Sequence, residues 1–368
     1  MHSLKVELGD RSYPILIEPG LLDKIGELCR LYRIGARFVM ITNPQVDSLY
    51  GDQVAAGFAK ARLPLHRITV PEGERHKSLE SLDLIIGEML QLNCDRQTVV
   101  LALGGGVIGD LAGFAAAAFM RGVPFIQVPT TLLSQIDASV GGKVAVNHRL
   151  GKNMIGAFHQ PRMVIIDPKS LFTLPPREVI CGLAEMVKHA FIRDAVYLDT
   201  IERSLDNIIA LEPETLSAAI LRSCEIKAGI VSQDERESGV RSLLNFGHTI
   251  GHALEAVCGY ETLRHGEAVL LGMLAEAYIS MKTQRLVESD FRRVENFLRR
   301  IPLKTQIARI SMEELERFMT RDKKGMDGAV RLVLLRSIGE AELSSDWQPG
   351  WLHEAIGYAV DAFQNARS

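Results

Sequence analysis

The sequence changes in character near residue 170, and this change limits the folds that the chain can adopt. Before it, apolar runs with the composition of buried strands alternate with segments of helical period. The strand-like runs are Ala36–Thr42, Leu65–Val70, Thr98–Leu103, Phe125–Val128 and Met163–Ile166, preceded by a hairpin over Lys5–Leu8 and Tyr13–Ile17. From Leu171 to Leu298 the period is helical almost throughout. We therefore predict an α/β N-terminal domain with a Rossmann-like, mainly parallel sheet over residues 1–170 and an all-α C-terminal domain over residues 171–368.

Composition narrows the class of protein. With 368 residues, 47% of them hydrophobic, the chain can bury a large core. Its 42 Lys and Arg residues nearly balance 45 acids, which gives no indication of a nucleic-acid partner. The five cysteines are scattered without a CxxC pair, and no apolar run reaches the roughly 20 residues that cross a bilayer. We expect a cytoplasmic protein with neither a nucleic-acid nor a membrane partner.

A glycine-rich turn follows the strand-like run Thr98–Leu103. It reads Gly104-Gly105-Gly106-Val107-Ile108-Gly109-Asp110 and precedes a helical segment, so it matches G-x-G-x-x-G in its proper setting. Glycines let the backbone approach a pyrophosphate, and a helix N-terminus offers N–H groups to an anion. The turn does not open the fold, and no acid follows about twenty residues later to bind a ribose. A nucleotide site and a purely structural turn therefore both stay open from this motif.

Histidines concentrate near residue 250. His248 and His252 are four residues apart, which puts them on one face of a helix, and His265 follows in the next segment. Imidazoles in this arrangement are typical of zinc sites, although solvated histidines show the same spacing. Glu185, in the apolar stretch Gly182–His189, is a candidate carboxylate ligand, and a surface ion pair with Lys188 is the alternative.

Several cations stand in or near candidate ligand loops. Lys143 and Lys152 lie beside glycines in polar segments, Arg121 follows the helix after the glycine-rich turn, and Lys227 and Arg241 precede the histidines. Any one of them alone would more often be a solvated surface charge. Together they favour an anionic small molecule as the ligand.

The combined motifs resemble the 3-dehydroquinate synthase family. They cover roughly residues 40 to 335 and follow the family's order. The long central motif is the most specific of them. The matching segments are Pro71–Lys77, Gly104–Asp110, Pro129–Lys143, Gly182–Lys188 and Asn245–His252.

The resemblance implies a reaction as well as a fold. It implies a lyase of the shikimate pathway, and so of chorismate and aromatic amino acid biosynthesis, that converts 3-deoxy-D-arabino-heptulosonate 7-phosphate to 3-dehydroquinate and phosphate. The implied steps are transient oxidation at C5 by NAD, phosphate elimination, re-reduction, ring opening and intramolecular aldol closure. It also implies NAD and one divalent metal, zinc or cobalt, as cofactors, and a homodimer. Another sugar phosphate cyclase and a metal-dependent NAD polyol dehydrogenase are the alternatives.

Family roles carried over by position complete the expected site. The metal ligands would be Glu185, His248 and His265, and the catalytic residues would be Lys152, Asp137, His252, Lys188 and Asn245. The substrate would be bound by Lys143, Asn153, Lys227, Arg241, Lys324 and Arg121, the last reaching across the dimer. NAD would contact Asn43, Glu74, Lys77, Gly105, Gly106, Val107, Asp110, Thr130, Thr131, Lys143, Lys152 and Thr173. Asn43 replaces an acid found in some members, so we expect a weaker hydrogen bond to the adenosine ribose.

Overall fold

The computed structural model describes residues 1–259, 262–303, 311–322 and 330–365, so Lys324 lies outside the described residues. The chain divides into two compact units. The first contains Met1–Leu174 and Leu211–Arg236, and the second contains Pro175–Ala210 and Glu237–Ser368. The first break between the units lies between Leu174 and Pro175. Residues 211–236, which we expected in the second domain, belong to the first unit.

The secondary structure alternates in the first part of the chain and is mainly helical after it. The strands are β1 His2–Val6, β2 Tyr13–Ile17, β3 Arg37–Thr42, β4 Leu65–Thr69, β5 Thr98–Gly104, β6 Phe125–Pro129, β7 Lys143–His148, β8 Gly151–Phe158, β9 Met163–Ile166, β10 Leu332–Ser337 and β11 Glu340–Ser344. The helices are α1 Ile25–Leu31, α2 Pro44–Val46, α3 Asp52–Lys60, α4 Leu79–Gln91, α5 Gly106–Ala118, α6 Pro176–Arg193, α7 Ala195–Ile209, α8 Pro213–Gln233, α9 His248–Cys258, α10 His265–Lys282, α11 Glu288–Arg300, α12 Met312–Asp322 and α13 Pro349–Asn365.

The first unit is built on a mainly parallel sheet. Within the described residues, seven strands join in the order β1-β2-β9-β6-β5-β3-β4, and all neighbours are parallel except β1 and β2. Strand β5 is buried along its whole length, because Val100 and Ala102 contribute to the core on one face and Leu101 and Leu103 to the core on the other. Burial on both faces explains the continuous apolar runs in the sequence. The predicted α/β class is confirmed.

A two-stranded hairpin was not expected. The polar segments around Lys143 and Asn153, which we interpreted as loops, form the antiparallel pair β7 and β8. Val144 and Val146 are buried in the core beside α5, whereas Lys143, Ala145 and Asn147, which alternate with them, are more exposed. That alternation is the sequence signal of a strand with one buried face.

Helix α8 belongs to the first unit through contacts that are distant in sequence. Glu235, just after α8, accepts hydrogen bonds from Arg11 at 2.6 Å and from Gln160 at 2.8 Å. Earlier in the helix, the ammonium of Lys227 lies 2.6 Å from a carboxylate oxygen of Asp137. Helical period alone does not reveal which unit a helix joins.

The second unit is helical, as predicted, with one added hairpin, β10 and β11. Its central helix α6 is buried from Val179 to Ile192. The first residues of β10, Leu332 to Leu335, are also buried, and the backbone N–H of Leu335 donates to the Ser280 hydroxyl at 2.9 Å. No helix among the described residues has the length and apolar character needed to cross a membrane.

Glycines bring α6, α9 and α10 into close contact. A Cβ on Gly266, in the first turn of α10, would lie 2.6 Å from the backbone oxygen of Cys181 in α6. A Cβ on Gly251 in α9 would lie 3.0 Å from the backbone oxygen of Ala268 in α10. A Cβ on Gly272 would overlap the backbone oxygen of Gly247 at the start of α9. At Gly266 and Gly272 only hydrogen fits, and at Gly251 a Cβ would require the neighbouring backbone to move by a few tenths of an ångström.

The substitution Gly272→Ala tests this contact. The added methyl group would force α9 and α10 apart, and overpacking of this kind costs about 3 kcal/mol of unfolding free energy. Urea denaturation followed by circular dichroism measures the change. Gly357→Ala in α13 is the matched control, because a Cβ there meets no atom of the described residues within 4 Å. We expect it to stabilise the protein by about 1 kcal/mol through helix propensity, and equal destabilisation by both variants would contradict the interpretation.

Candidate active site

Candidate nucleotide-binding residues gather at the carboxyl ends of neighbouring parallel strands. Gly105 and Gly106 follow β5, and Thr130 and Thr131 follow β6, the strand paired with β5. The Thr130 N–H donates to the carbonyl of Gly104 at 3.0 Å and holds the two strand ends together. Ligands of open α/β sheets bind at this edge. The fold thus brings these expected residues together.

The glycine-rich turn opens helix α5. Gly105 is its N-cap residue, and Gly106 and Val107 form its first turn. A Cβ on Gly105 would lie 3.0 Å from the methyl group of Thr131, so a side chain at this position would crowd Thr131. Among the described residues, no side chain caps this helix end. Its first N–H groups therefore suit an anion such as a pyrophosphate.

Lys77 connects residues expected at NAD with one expected at the substrate. Its buried ammonium lies 2.5 Å from the carboxylate of Asp110 and donates to the side-chain oxygen of Asn153 at 2.5 Å. Burial raises the pKa of Asp110, while the charge of Lys77 opposes that rise. Asn147, which the sequence did not suggest, donates to Glu74 at 2.8 Å and accepts from the Asn153 N–H at 2.8 Å. Hairpin β7–β8 is thereby fixed to the segment that carries Glu74 and Lys77.

Asn43 and Thr173 have partners within the protein. The side-chain oxygen of Asn43 accepts from the Val46 N–H at 2.8 Å and caps α2, where Pro44 takes the first helical position. This oxygen, which we expected to accept a bond from the ribose, has a backbone partner. The hydroxyl of Thr173 lies 2.5 Å from that of Tyr50, a residue that sequence reasoning missed.

Cationic candidates of the first unit differ in exposure. Lys227 on α8 is buried and donates to the backbone oxygen and the carboxylate of Asp137 at 2.5 and 2.6 Å. Lys143 at the start of β7 and Arg121 after α5 are exposed, and Lys152 in β8 is half-buried. The exposed cations are accessible to an anionic ligand, whereas Lys227 serves also to fix Asp137.

The expected metal ligands converge in the second unit. The Nε2 atoms of His248 and His265 lie 3.4 and 3.6 Å from the same carboxylate oxygen of Glu185. His252 joins the group, because one nitrogen from each of the three imidazoles lies within 4.8 Å of the others. Helices α6, α9 and α10 contribute these residues, so the close glycine contacts determine the spacing of the ligands. A carboxylate with two or three imidazoles suits zinc or cobalt.

Glu185 and Lys188 form an ion pair, which was one interpretation of the sequence. Both side chains, however, are almost fully buried. A surface pair is therefore the wrong description. A buried carboxylate with cationic and imidazole neighbours has the environment of a metal ligand.

Histidine protonation reflects the charges around the cluster. Burial lowers the pKa of His248 well below its usual range, and the ammonium of Lys188 lowers it further. Burial also disfavours the charged form of His265, but hydrogen bonds to the carboxylates of Glu185 and Glu255 outweigh it and raise the pKa of His265 to about 9. Carboxylates that stabilise a proton here would equally stabilise a divalent cation, so the residues fit a metal ion.

Residues just before α9 complete the candidate site of the second unit. Arg241 is buried in the short helix Val240–Asn245, and Asn245 donates to the carboxylate of Glu237 at 2.8 Å. Glu237 was not predicted, since an acid in a polar loop carries no distinctive signal. Its contact orients the amide of Asn245.

Comparisons with known proteins agree with these features. The family model for the 3-dehydroquinate synthase N-terminal region matches residues 67–181, and the model for the C-terminal region matches residues 182–325. A 3-dehydroquinate synthase from Pelobacter propionicus is 46% identical over 340 residues, which cover 92% of this chain and 95% of the relative.

Solved structures of related synthases have the same fold. A 2-deoxy-scyllo-inosose synthase complexed with carbaglucose-6-phosphate, NAD+ and Co2+ has a TM-score of 0.88 at 27% identity, covering 96% of this chain and 99% of that one. The 2-epi-5-epi-valiolone synthase of Streptomyces hygroscopicus, with NAD+ and Zn2+ bound, has a TM-score of 0.86 at 28% identity, covering 98% and 99%. With both family models matched in order and close identity along nearly the whole chain, this protein belongs to the 3-dehydroquinate synthase family.

Proposed function

We propose that the protein is a phosphate-eliminating lyase that converts 3-deoxy-D-arabino-heptulosonate 7-phosphate to 3-dehydroquinate. The observation that carries the proposal is the convergence of His248 and His265 on one carboxylate oxygen of Glu185 in a member of this family. A hydride removed from the substrate would be returned to it, so the reaction would cause no net oxidation.

Two cofactors are part of the proposal. When bound, NAD would take a hydride from substrate C5 and return it, and zinc or cobalt would polarise the C5 hydroxyl as a Lewis acid. Glu185, His248 and His265 would hold the metal. The NAD would be held by the turn after β5 and its neighbours, namely Asn43, Glu74, Lys77, Gly105, Gly106, Val107, Asp110, Thr130, Thr131, Lys143, Lys152 and Thr173.

The cations of the chain would bind the substrate. Phosphate and carboxylate together carry close to three negative charges near neutral pH. Lys143 and Asn153 would bind the phosphate, Arg241 and Lys227 would neutralise the remaining charge, and Lys324 would contribute one more cation. We also propose a homodimer in which Arg121, exposed in a single chain, reaches the neighbouring subunit.

Proton transfer would use the substrate's own phosphate. Loss of the C6 proton expels the C7 phosphate, and phosphate oxygens held by Lys143, Asn153 and His252 would accept that proton. Asp137, Lys188 and Asn245 would orient the hydroxyl groups of the substrate. Buried ion pairs with Lys227 and Glu185 keep Asp137 and Lys188 in fixed positions.

One assay separates this function from its alternatives. The purified protein is mixed with 3-deoxy-D-arabino-heptulosonate 7-phosphate, NAD and zinc, and phosphate release is followed together with absorbance at the NADH band. Phosphate release without accumulating NADH is the expected result. Steady growth of NADH would indicate a polyol dehydrogenase, and the absence of both signals would point to another sugar phosphate.

Metal content tests the ligand assignment. His248→Ala and His265→Ala are expected to lose bound zinc, because each removes one of the proposed ligands, whereas His252→Ala should retain it. Atomic emission of the dialysed variants measures the metal. Retention of zinc by His265→Ala, or its loss from His252→Ala, would refute the assignment of ligands.

Substrate affinity tests the role of Arg241. Loss of a charge-assisted hydrogen bond costs about 2 kcal/mol, so Arg241→Ala should weaken substrate binding by roughly 30-fold. Titration calorimetry with substrate and, separately, with NAD provides the comparison within one variant. Equal losses for the two ligands would indicate general damage to the protein and contradict the specific role.

A further inference from the structure

The two metal-ligand histidines differ in what holds their second ring nitrogen. In His248, Nδ1 lies 3.2 Å from the backbone oxygen of Phe246. In His265, Nδ1 lies 3.4 Å from a carboxylate oxygen of Glu255. Both rings thereby keep Nε2 near Glu185. One ring is oriented by a neutral carbonyl and the other by a charged side chain.

Glu255 has the position and burial of a residue with a specific task. It lies on α9, seven residues after His248 and three after His252, so the three side chains share one side of the helix. It is only 5% exposed. Burying a carboxylate is unfavourable unless polar or charged groups compensate for it. The 3.4 Å contact between its carboxylate and the Nδ1 of His265 joins α9 to the first residue of α10.

We propose that Glu255 is a positioning residue that orients the imidazole of His265, fixes its tautomer and thereby strengthens metal binding. The inference rests on the proposed metal site formed by Glu185, His248 and His265. An Nδ1–H donated to Glu255 leaves the Nε2 lone pair directed at the metal position. A carboxylate acceptor also makes the imidazole a better ligand than a neutral acceptor does.

Charge balance gives Glu255 a second effect on the same site. The ring of His265 has a carboxylate near each nitrogen, Glu185 at 3.6 Å from Nε2 and Glu255 at 3.4 Å from Nδ1. Two buried carboxylates around one imidazole attract a cation more strongly than one does. Removing the charge of Glu255 while keeping its shape therefore separates the charge from simple packing.

The test uses Glu255→Gln, which keeps the size and an acceptor oxygen, and Glu255→Ala, which removes both. Glu295→Gln is the matched control, because Glu295 is a carboxylate of the same unit with similar burial that contacts Tyr358 and Arg292 instead of the metal ligands. Zinc is stripped from the full-length protein with a chelator. Metal affinity is then measured by competition between the protein and a zinc-binding dye. The visible absorption of added Co2+ reports the ligand geometry independently of activity.

We expect Glu255→Ala to weaken zinc binding by about 10- to 100-fold, and Glu255→Gln to weaken it less. Both variants should alter the cobalt absorption bands. Glu295→Gln should change neither the zinc affinity nor the cobalt absorption bands. Circular dichroism of the metal-free proteins identifies variants that fail to fold. If Glu255→Ala fails to fold, the zinc affinity and cobalt spectrum of Glu255→Gln test the inference.

Three results would overturn the inference. Wild-type zinc affinity and cobalt bands in a folded Glu255→Gln, with zinc lost from His265→Ala, would show that the metal site stands without Glu255. An equal loss of affinity in Glu295→Gln would reveal general destabilisation. Zinc retained by His265→Ala would instead refute the proposed metal site itself.

Discussion

Close contact between helices α6, α9 and α10 is the constraint on which the candidate metal site depends. Gly266 lies against the backbone of α6, and Gly272 lies against the backbone of Gly247. The two histidines that we propose as ligands are the immediate neighbours of such glycines, since His265 precedes Gly266 and His248 follows Gly247. Packing and chemistry are therefore coupled, because a side chain at either glycine would move a ligand. Buried helix packing transmits such shifts instead of absorbing them.

The first unit has a candidate anion-binding site, which is formed by a parallel sheet instead of by close helix packing. A parallel sheet brings its loops to one edge, where backbone N–H groups and small side chains can approach an anion closely. Lys77 adds a fixed charge there, held between Asp110 and Asn153. The ammonium of Lys77 contacts Asp110, which is proposed to bind the cofactor, and Asn153, which is proposed to bind the substrate. A substitution at either residue would therefore alter the position of the ammonium in both candidate sites.

Much of this fold and site could be predicted from the sequence, and the reasons are local. Strands buried on both faces are continuous apolar runs, so Met163–Ile166 and its parallel neighbours are recognisable without any tertiary information. The spacing of His248 and His252 and the order of the glycine-rich turn are equally local. His265 and Glu185 were already candidates from the sequence, and the resemblance to a known family then assigned them, with His248, as the expected metal ligands.

What the sequence did not reveal depends on distant contacts. Lys227 and Asp137 are 90 residues apart, so nothing in the period of α8 indicates that it joins the first unit. Tyr50, Asn147, Glu237 and Glu255 act by orienting other side chains, and such supporting roles have no spacing pattern of their own. Hairpin β7–β8 was missed because its polar and glycine residues masked a short alternation of valines.

The chain passes between the two units at residues 174, 210 and 236, and this path has a consequence for synthesis on the ribosome. Domains usually fold one after another as the chain emerges. Here the first unit lacks α8 until residue 236 has left the exit tunnel, by which time the first helices of the second unit are already made. Because each unit consists of two chain segments, no single cleavage of the chain separates one complete unit from the other. Replacing one unit by another would therefore require the chain to be rejoined at three points instead of one.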